Sequence, residues 1–343
     1  MQPHFHQHYV ELDPFFADRE QAWAMVRLCE NFGSYGTYSA QDLDDGIGGG
    51  LPQRFDAAFN FLDAGGRFGP GTDDRDTLAA RTNYFRETYA YGDQVFAPGI
   101  EPLYRYEPLI DAARQVFGRP IVEPAIVYAN LLLPGQELAI HTDVPEFRGL
   151  SRQRYPEWLM VVAHHSGLFD EHRMPIATAI SWYQDAEAGQ FAFFPEGIDA
   201  PACEYPVRFN TSLVMDTDSV FHCVDRVAER DEPVPTFSPS MRLHPLENQV
   251  WAVRDGHEEV ARYRWADMRF SISWKAYCFR DEAEREAWRT GASDLTLDEV
   301  VETLCVDLER RGRLGNGRPS NRALARLLVD EYIQFPRRAS AAQ

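Results

Sequence analysis

The sequence predicts a mainly β protein with α additions: a jelly-roll core of two packed sheets, flanked by N- and C-terminal helices. Two observations carry this expectation. Between residues 121 and 280, short segments rich in Val, Ile, Phe, Tyr and Trp alternate with turn residues. On either side, apolar residues recur at helical spacing. About eight strands over roughly 155 residues suit a double-sheet sandwich.

The elements follow in chain order. Residues 1–120 read as a mostly helical extension, with helices near 20–31 and 103–117. The glycine-rich stretches DGIGGGL (45–51) and AGGRFGPGTDDRDT (64–77) read as loops. They lack the strand-before, helix-after context of a phosphate cradle, and Asp73, Asp74 and Asp76 lack calcium-loop spacing. Strand candidates are 125–133, 137–142, 159–165, 177–184, 190–194, 211–216, 221–226 and 269–279. Residues 228–265, with Pro233, Pro235, Pro239 and Pro245, read as an inserted loop with one short strand near Val250. Helix returns after Arg280. TLDE (296–299) is a capping box, Ser320 can cap a further helix, and the RRASAAQ tail is expected to fray. One domain over 1–343 is expected: extension 1–120, core 121–280 with insert 228–265, and C-terminal helices 281–343.

Composition narrows the function classes. The 343 residues are 44% hydrophobic, enough for a large core. With 34 Lys+Arg against 53 Asp+Glu, the formal net charge is −19. That balance argues against gripping nucleic acid, which needs cationic side chains, and against an acidic membrane surface. The five cysteines are widely spaced with no C-x-x-C, so neither a disulfide framework nor a thiolate zinc site is expected. No cationic segment followed by an apolar stretch opens the chain, and no run of about 18 apolar residues occurs. A reduced, cytoplasmic setting is therefore expected. Lys275 is the single lysine, which reads first as codon bias of a GC-rich genome and only second as a functional constraint.

The chemistry concentrates in YANLLLPGQELAIHTD (128–143). Pro134–Gly135 is a turn between two strands. On the second strand His141 and Asp143 stand two apart, and with a side-chain period of 2 they share a face. A third ligand is offered by His222 in LVMDTDSVFHCV (213–224), 79 residues after Asp143. Two histidines and one carboxylate make the facial triad of non-haem Fe(II) oxygenases, which leaves coordination positions open. A lone H-x-D also occurs in surface turns. Here it follows a strand–PG–strand unit and precedes GQFAFFP (189–195), and His222 opens a strand after a turn. In RFSIS (269–273), Arg269 and Ser271 share a strand face and can grip a carboxylate.

In this order the motifs resemble the Fe(II)/2-oxoglutarate-dependent dioxygenases with a double-stranded β-helix core, over about residues 122–279. The resemblance implies that His141, Asp143 and His222 hold Fe(II). It implies that Arg269, helped by Ser271, binds the distal carboxylate of 2-oxoglutarate, with Asn130 and Tyr128 placed to help at its other end. It implies a reaction in which O2 and 2-oxoglutarate give succinate and CO2 while a substrate C–H bond is oxidised, most simply hydroxylated. Two features depart from the family pattern. Arg269 follows His222 by 47 residues, which the 228–265 insert accounts for and which leaves Arg226 as a rival anchor. A second insert, VPEFRGLSRQRYPEW (144–158), lies where the substrate mouth is usually shaped.

Other residues have competing readings. His164 and His165 adjoin at an expected strand end, so at most one can face the site. His172, His244 and His257 read as surface residues, and His4, His6 and His8 as part of a disordered terminus. Arg148 is a candidate for an anionic substrate group, or an ion pair with a loop acid. Trp182 and Phe193 are candidates for lining the cavity, or core. Lys275 shares parity with Arg269, but six strand residues span roughly 20 Å, so the two are not expected on one carboxylate. The favoured substrate is a small molecule. The alternatives are a protein side-chain hydroxylase, a non-catalytic cupin-like module, and a facial-triad oxidase that uses no 2-oxoglutarate. The residues leave the oligomeric state open.

Overall fold

The computed structural model describes residues 4–6, 9–38, 51, 53–150, 155–228, 234–291, 294–315, 317 and 319–336. Most of the first glycine-rich stretch (45–50), His8, Pro233 and the RRASAAQ tail lie outside the described residues. Two antiparallel sheets face each other, as the sequence predicts. The larger runs His4–His6, Tyr9–Leu12, Thr211–Met215, Ile176–Trp182, Arg269–Phe279, Ile121–Leu132, Phe85–Tyr91, Tyr35–Thr37, Arg242–Pro245, Val250–Asp255 and Glu258–Arg264. The smaller runs Cys203–Tyr205, Phe191–Phe193, His222–Val224 and Leu138–His141.

The two longest strands, Ile121–Leu132 and Arg269–Phe279, pair along their whole length at the centre of the larger sheet. Arg269–Phe279 has one half-exposed residue, Tyr277, and is otherwise buried on both faces. One face packs on N-terminal helices. Helix Glu107–Phe117 buries Leu109, Ile110, Ala112 and Ala113 across the sheet and ends at Gly118, whose φ of +61° suits glycine. The smaller sheet is backed by Glu157–Ser166 and the C-terminal helices Leu297–Arg310 and Asn321–Tyr332. Thr296 forms the expected capping box and Ser320 caps the last helix. Asp74 caps helix Arg75–Arg81, which gives that aspartate a structural use.

Four expectations are corrected. Residues 159–165 are not a strand but part of helix Glu157–Ser166, with Trp158 through Ala163 all buried. A helix wrapped by apolar neighbours on every side loses its periodic signature. The insert is not a loop: Arg242–Pro245, Val250–Asp255 and Glu258–Arg264 extend the larger sheet beyond Tyr35–Thr37. The sheet is not confined to 121–280: the N-terminal extension, in which helix outnumbers strand as expected, adds strands to it on both sides of the central pair. His4–His6 pairs with Tyr9–Leu12 rather than lying loose.

Candidate metal centre and anion pocket

The Pro134–Gly135 turn aims the first ligand strand. Gln136 N donates to Leu133 O at 2.9 Å and Gly135 has φ +86°, the geometry of a type II turn. The chain thereby leaves the larger sheet and enters the smaller one at Leu138–His141. There His141 lies directly opposite His222. Each ring is oriented through its Nδ1: His141 meets Ala139 O at 2.6 Å and His222 meets Val220 O at 2.9 Å. An imidazole that donates from Nδ1 offers its Nε2 lone pair to a metal. Both Nε2 atoms point at Asp143 Oδ1, at 3.7 Å from His141 and 3.9 Å from His222. One donor atom from each of the three residues lies within 4.8 Å of the others.

The surroundings prepare these groups for a cation. Burial, reinforced by His141, pushes His222 down to about 3, so its nitrogen is unprotonated at neutral pH. Burial works to raise Asp143, but the Lys275 ammonium and the two imidazoles outweigh it and hold the carboxyl well below its usual range. The connecting backbone is pinned. Asp143 N donates to Thr217 O at 2.8 Å, Arg54 Nη2 donates to Thr142 O at 2.8 Å, and His165 Nε2 lies 3.1 Å from Thr142 Oγ1. Two imidazoles and one carboxylate on one side of a cavity suit a divalent ion with open positions.

The same cavity, of about 520 Å3, reaches Arg269 and Ser271. Arg269 is 1% exposed. Its Nε donates to Gly189 O at 2.8 Å and its Nη1 to Ser271 Oγ at 3.3 Å, while its Nη2 is buried with no hydrogen-bond partner. Burial pushes its pKa down to about 9, the mark of a cation lacking a counter-ion. Gly189 resists enlargement: it has φ +72°, and an added Cβ would stand 2.8 Å from Val227 Cγ2 and 3.1 Å from Arg269 Cδ, so one of these would have to shift. The glycine of GQFAFFP is therefore where the backbone comes close to the guanidinium. A dicarboxylic keto acid fits this donor set, with an unmet guanidinium N–H at one end and metal ligands at the other.

The remaining candidates divide. Asn130 and Tyr128 line the cavity; Asn130 Nδ2 donates to Ser273 Oγ at 3.1 Å, and the Arg86 guanidinium sits 3.6 Å from the Tyr128 ring centroid. Arg226 is not among the lining residues; it lies 3.4 Å from Asp73 Oδ2. Arg148 is not there either. It lines a second cavity of about 460 Å3, with its Nη2 3.4 Å from Glu171 O. Trp182 and Phe193 do not line the site. Trp182 stacks on Tyr205 at 5.2 Å with Arg269 over its ring, and Phe193 is covered edge-on by Tyr9 of an N-terminal strand at 5.0 Å. Phe191, two residues earlier, takes the lining place. His164 and His165 sit on a helix and neither lines the cavity; His164 Nε2 contacts Ser219 Oγ at 3.0 Å.

One residue was missed. Lys275 Nζ lies 2.8 Å from Asp143 Oδ2, and Lys275 is 4% exposed. Its parity with Arg269 placed it on the right face, and the chain's single use of lysine was the other available signal.

No protein-family model matches the chain, and no curated protein matches it in sequence. Among solved structures it is similar to a prolyl hydroxylase from Trichoplax adhaerens in complex with a hypoxia inducible factor peptide. The identity is 12% over 82% of this chain and 86% of that one, with a TM-score of 0.41. It is similar to SnoK, an alpha ketoglutarate dependent carbocyclase of nogalamycin biosynthesis, at 11% identity over 79% and 80%, TM-score 0.40. It is also similar to HygX from Streptomyces hygroscopicus with nickel, 2-oxoglutarate and hygromycin B bound, at 11% identity over 79% and 83%, TM-score 0.37. Likenesses this distant assign neither activity nor substrate to this chain. No described helix is long and apolar enough to cross a membrane.

Proposed function

We propose that this protein is an Fe(II)/2-oxoglutarate-dependent oxygenase acting on a C–H bond of a small-molecule substrate. One observation carries the reading. A His–Asp–His cluster and a buried arginine with an unmet N–H line the same cavity. A metal-binding cupin-like module has no use for that guanidinium, because an unpaired buried charge costs several kcal/mol. In this reading His141, Asp143 and His222 hold the iron, and Arg269 with Ser271 holds the far carboxylate of 2-oxoglutarate. Bound there, the pair supplies O2 activation, with oxidation of the keto acid to succinate and CO2. Gly189 and Ser271 fix the guanidinium in place, and Asn130 and Ser273 present polar groups between the two ends.

The small-molecule reading is supported by the rest of the lining. Tyr38, Tyr84 and Tyr128 supply aromatic faces, with Arg54, Arg86 and Glu157 among them. Such a mixed wall suits a compact polar ligand carrying its own charges. The test is anaerobic addition of Fe(II) and 2-oxoglutarate. The reading predicts a visible charge-transfer band that requires both and is lost in Arg269→Ala. A band absent from the wild-type protein at saturating iron and keto acid would refute it.

A further inference from the structure

Asp143 divides its two oxygens between two partners. Oδ1 faces the Nε2 atoms of His141 and His222, and Oδ2 receives the Lys275 ammonium at 2.8 Å. Lys275 comes from Arg269–Phe279, at the centre of the larger sheet between Ile176–Trp182 and Ile121–Leu132. Its backbone sits opposite Thr178 and Ile126. The strand is paired on both sides and Lys275 is 4% exposed, so the ammonium is enclosed where it meets Asp143. Behind it lies a second layer of charge. Asp218 is fully buried, and its Oδ2 is 3.5 Å from Arg173, which also binds Asp216 at 2.8 Å. Both Lys275 and Arg173 act on Asp218 electrostatically. The lysine thus binds the half-buried carboxylate of the candidate metal centre, and its charge also acts on the buried Asp218.

A carboxylate can bind a metal through one oxygen or through both. The difference matters here. With one oxygen from Asp143, three protein atoms leave three of six octahedral positions free. A bidentate keto acid takes two of these, and one is left for O2. With both oxygens, that last position is gone. We infer that Lys275 is a positioning residue: by holding Oδ2 of Asp143, it makes the carboxylate a one-oxygen ligand and keeps the O2 position open. This rests on the function proposed above. It goes beyond that function in assigning the site's third open position to a residue that touches neither metal nor keto acid.

The test uses nitric oxide, a stable stand-in for O2, on the anaerobic protein loaded with saturating Fe(II) and 2-oxoglutarate. Nitric oxide affinity is read from the electron paramagnetic resonance signal of the iron–nitrosyl complex. In Lys275→Met the charge-transfer band should persist, reporting that iron and keto acid still bind. Nitric oxide affinity should fall about tenfold or more, the usual scale for loss of an outer partner. Lys275→Arg, which keeps a donor and a positive charge, should recover most of it. Unchanged nitric oxide affinity in Lys275→Met overturns the inference, whatever happens to its melting temperature. So does a loss that Lys275→Arg fails to recover at all. Absence of the charge-transfer band from the wild type would instead defeat the underlying function, so the two failures are distinguishable.

Discussion

The smaller sheet brings the cavity two imidazoles, each aimed by a carbonyl two residues back in its own chain. The larger sheet brings Arg269, Ser271, Ser273 and Lys275, four alternate residues of one central strand. One side therefore offers imidazole nitrogens on short strands of three and four residues, while the other offers cations on a strand of eleven. The difference follows from what each group must tolerate. A neutral imidazole needs only one hydrogen bond to keep its direction. A buried cation needs an anion to offset its desolvation: Lys275 has Asp143, whereas Arg269 keeps an unmet N–H for the carboxylate proposed to bind there. Asp143 stands where the two sides meet, taking Lys275 from one and facing both histidines of the other.

Removing that junction should have the largest effect. Asp143→Ala removes the carboxylate of the cluster, and iron retained after reconstitution and desalting should fall from a full equivalent toward none. Stoichiometric iron in that variant would mean that the histidines alone form the site. The next effect is confined to the larger sheet. Arg269→Ala should keep its iron but lose about 3 kcal/mol, or roughly a hundredfold, in 2-oxoglutarate affinity by calorimetry. If iron is lost as well, the two sides are not separable in the way described. A subtler probe is Gly189→Ala, which forces a Cβ against Val227 and Arg269 in a left-handed backbone. It should cost about 1–3 kcal/mol of stability and weaken keto-acid binding while sparing iron.

The smallest effect concerns the bracing of the smaller sheet. Burial pushes His165 down to about 4 and His164 to about 2. Their folded pKa values lie below the unfolded one of about 6.5, so the unfolded chain binds more protons as pH falls. Stability is therefore complete above about 6.5 and declines toward pH 4. For His165 this amounts to about 1–2 kcal/mol at pH 5. Melting temperatures across this window should fall with pH, and His165→Phe should flatten the slope. An unchanged slope would remove His165 from the brace.

The sequence made the ligand set legible because its signals are short-range. H-x-D fixes a shared face, Pro–Gly fixes the turn, and R-x-S fixes the anchor pair, all within a few residues. Strand 269–279 was read to the residue for the same reason. What escaped was set by partners distant in sequence. Helix Glu157–Ser166 is apolar on all sides, so the β-branched pair Val161–Val162 outweighed its end signals, Pro156 before it and Gly167 after it. The prolines of the insert suggest a loop, although Gly256–His257 is a two-residue hairpin loop with glycine first, closed by Asp255 opposite Glu258. Phe193 was misjudged because nothing near it in sequence announces that Tyr9 will cover it. Lys275 had the right face, but which carboxylate it meets depends on a contact 132 residues away.

The most direct measurement is a crystal structure of the protein prepared anaerobically with Fe(II) and 2-oxoglutarate. The account predicts iron bound by His141 Nε2, Asp143 Oδ1 and His222 Nε2, with the distal carboxylate of the keto acid on Arg269 Nη2 and Ser271 Oγ. A keto acid seated elsewhere in the cavity, against Arg54 or Arg86 with Arg269 still unpartnered, would contradict it.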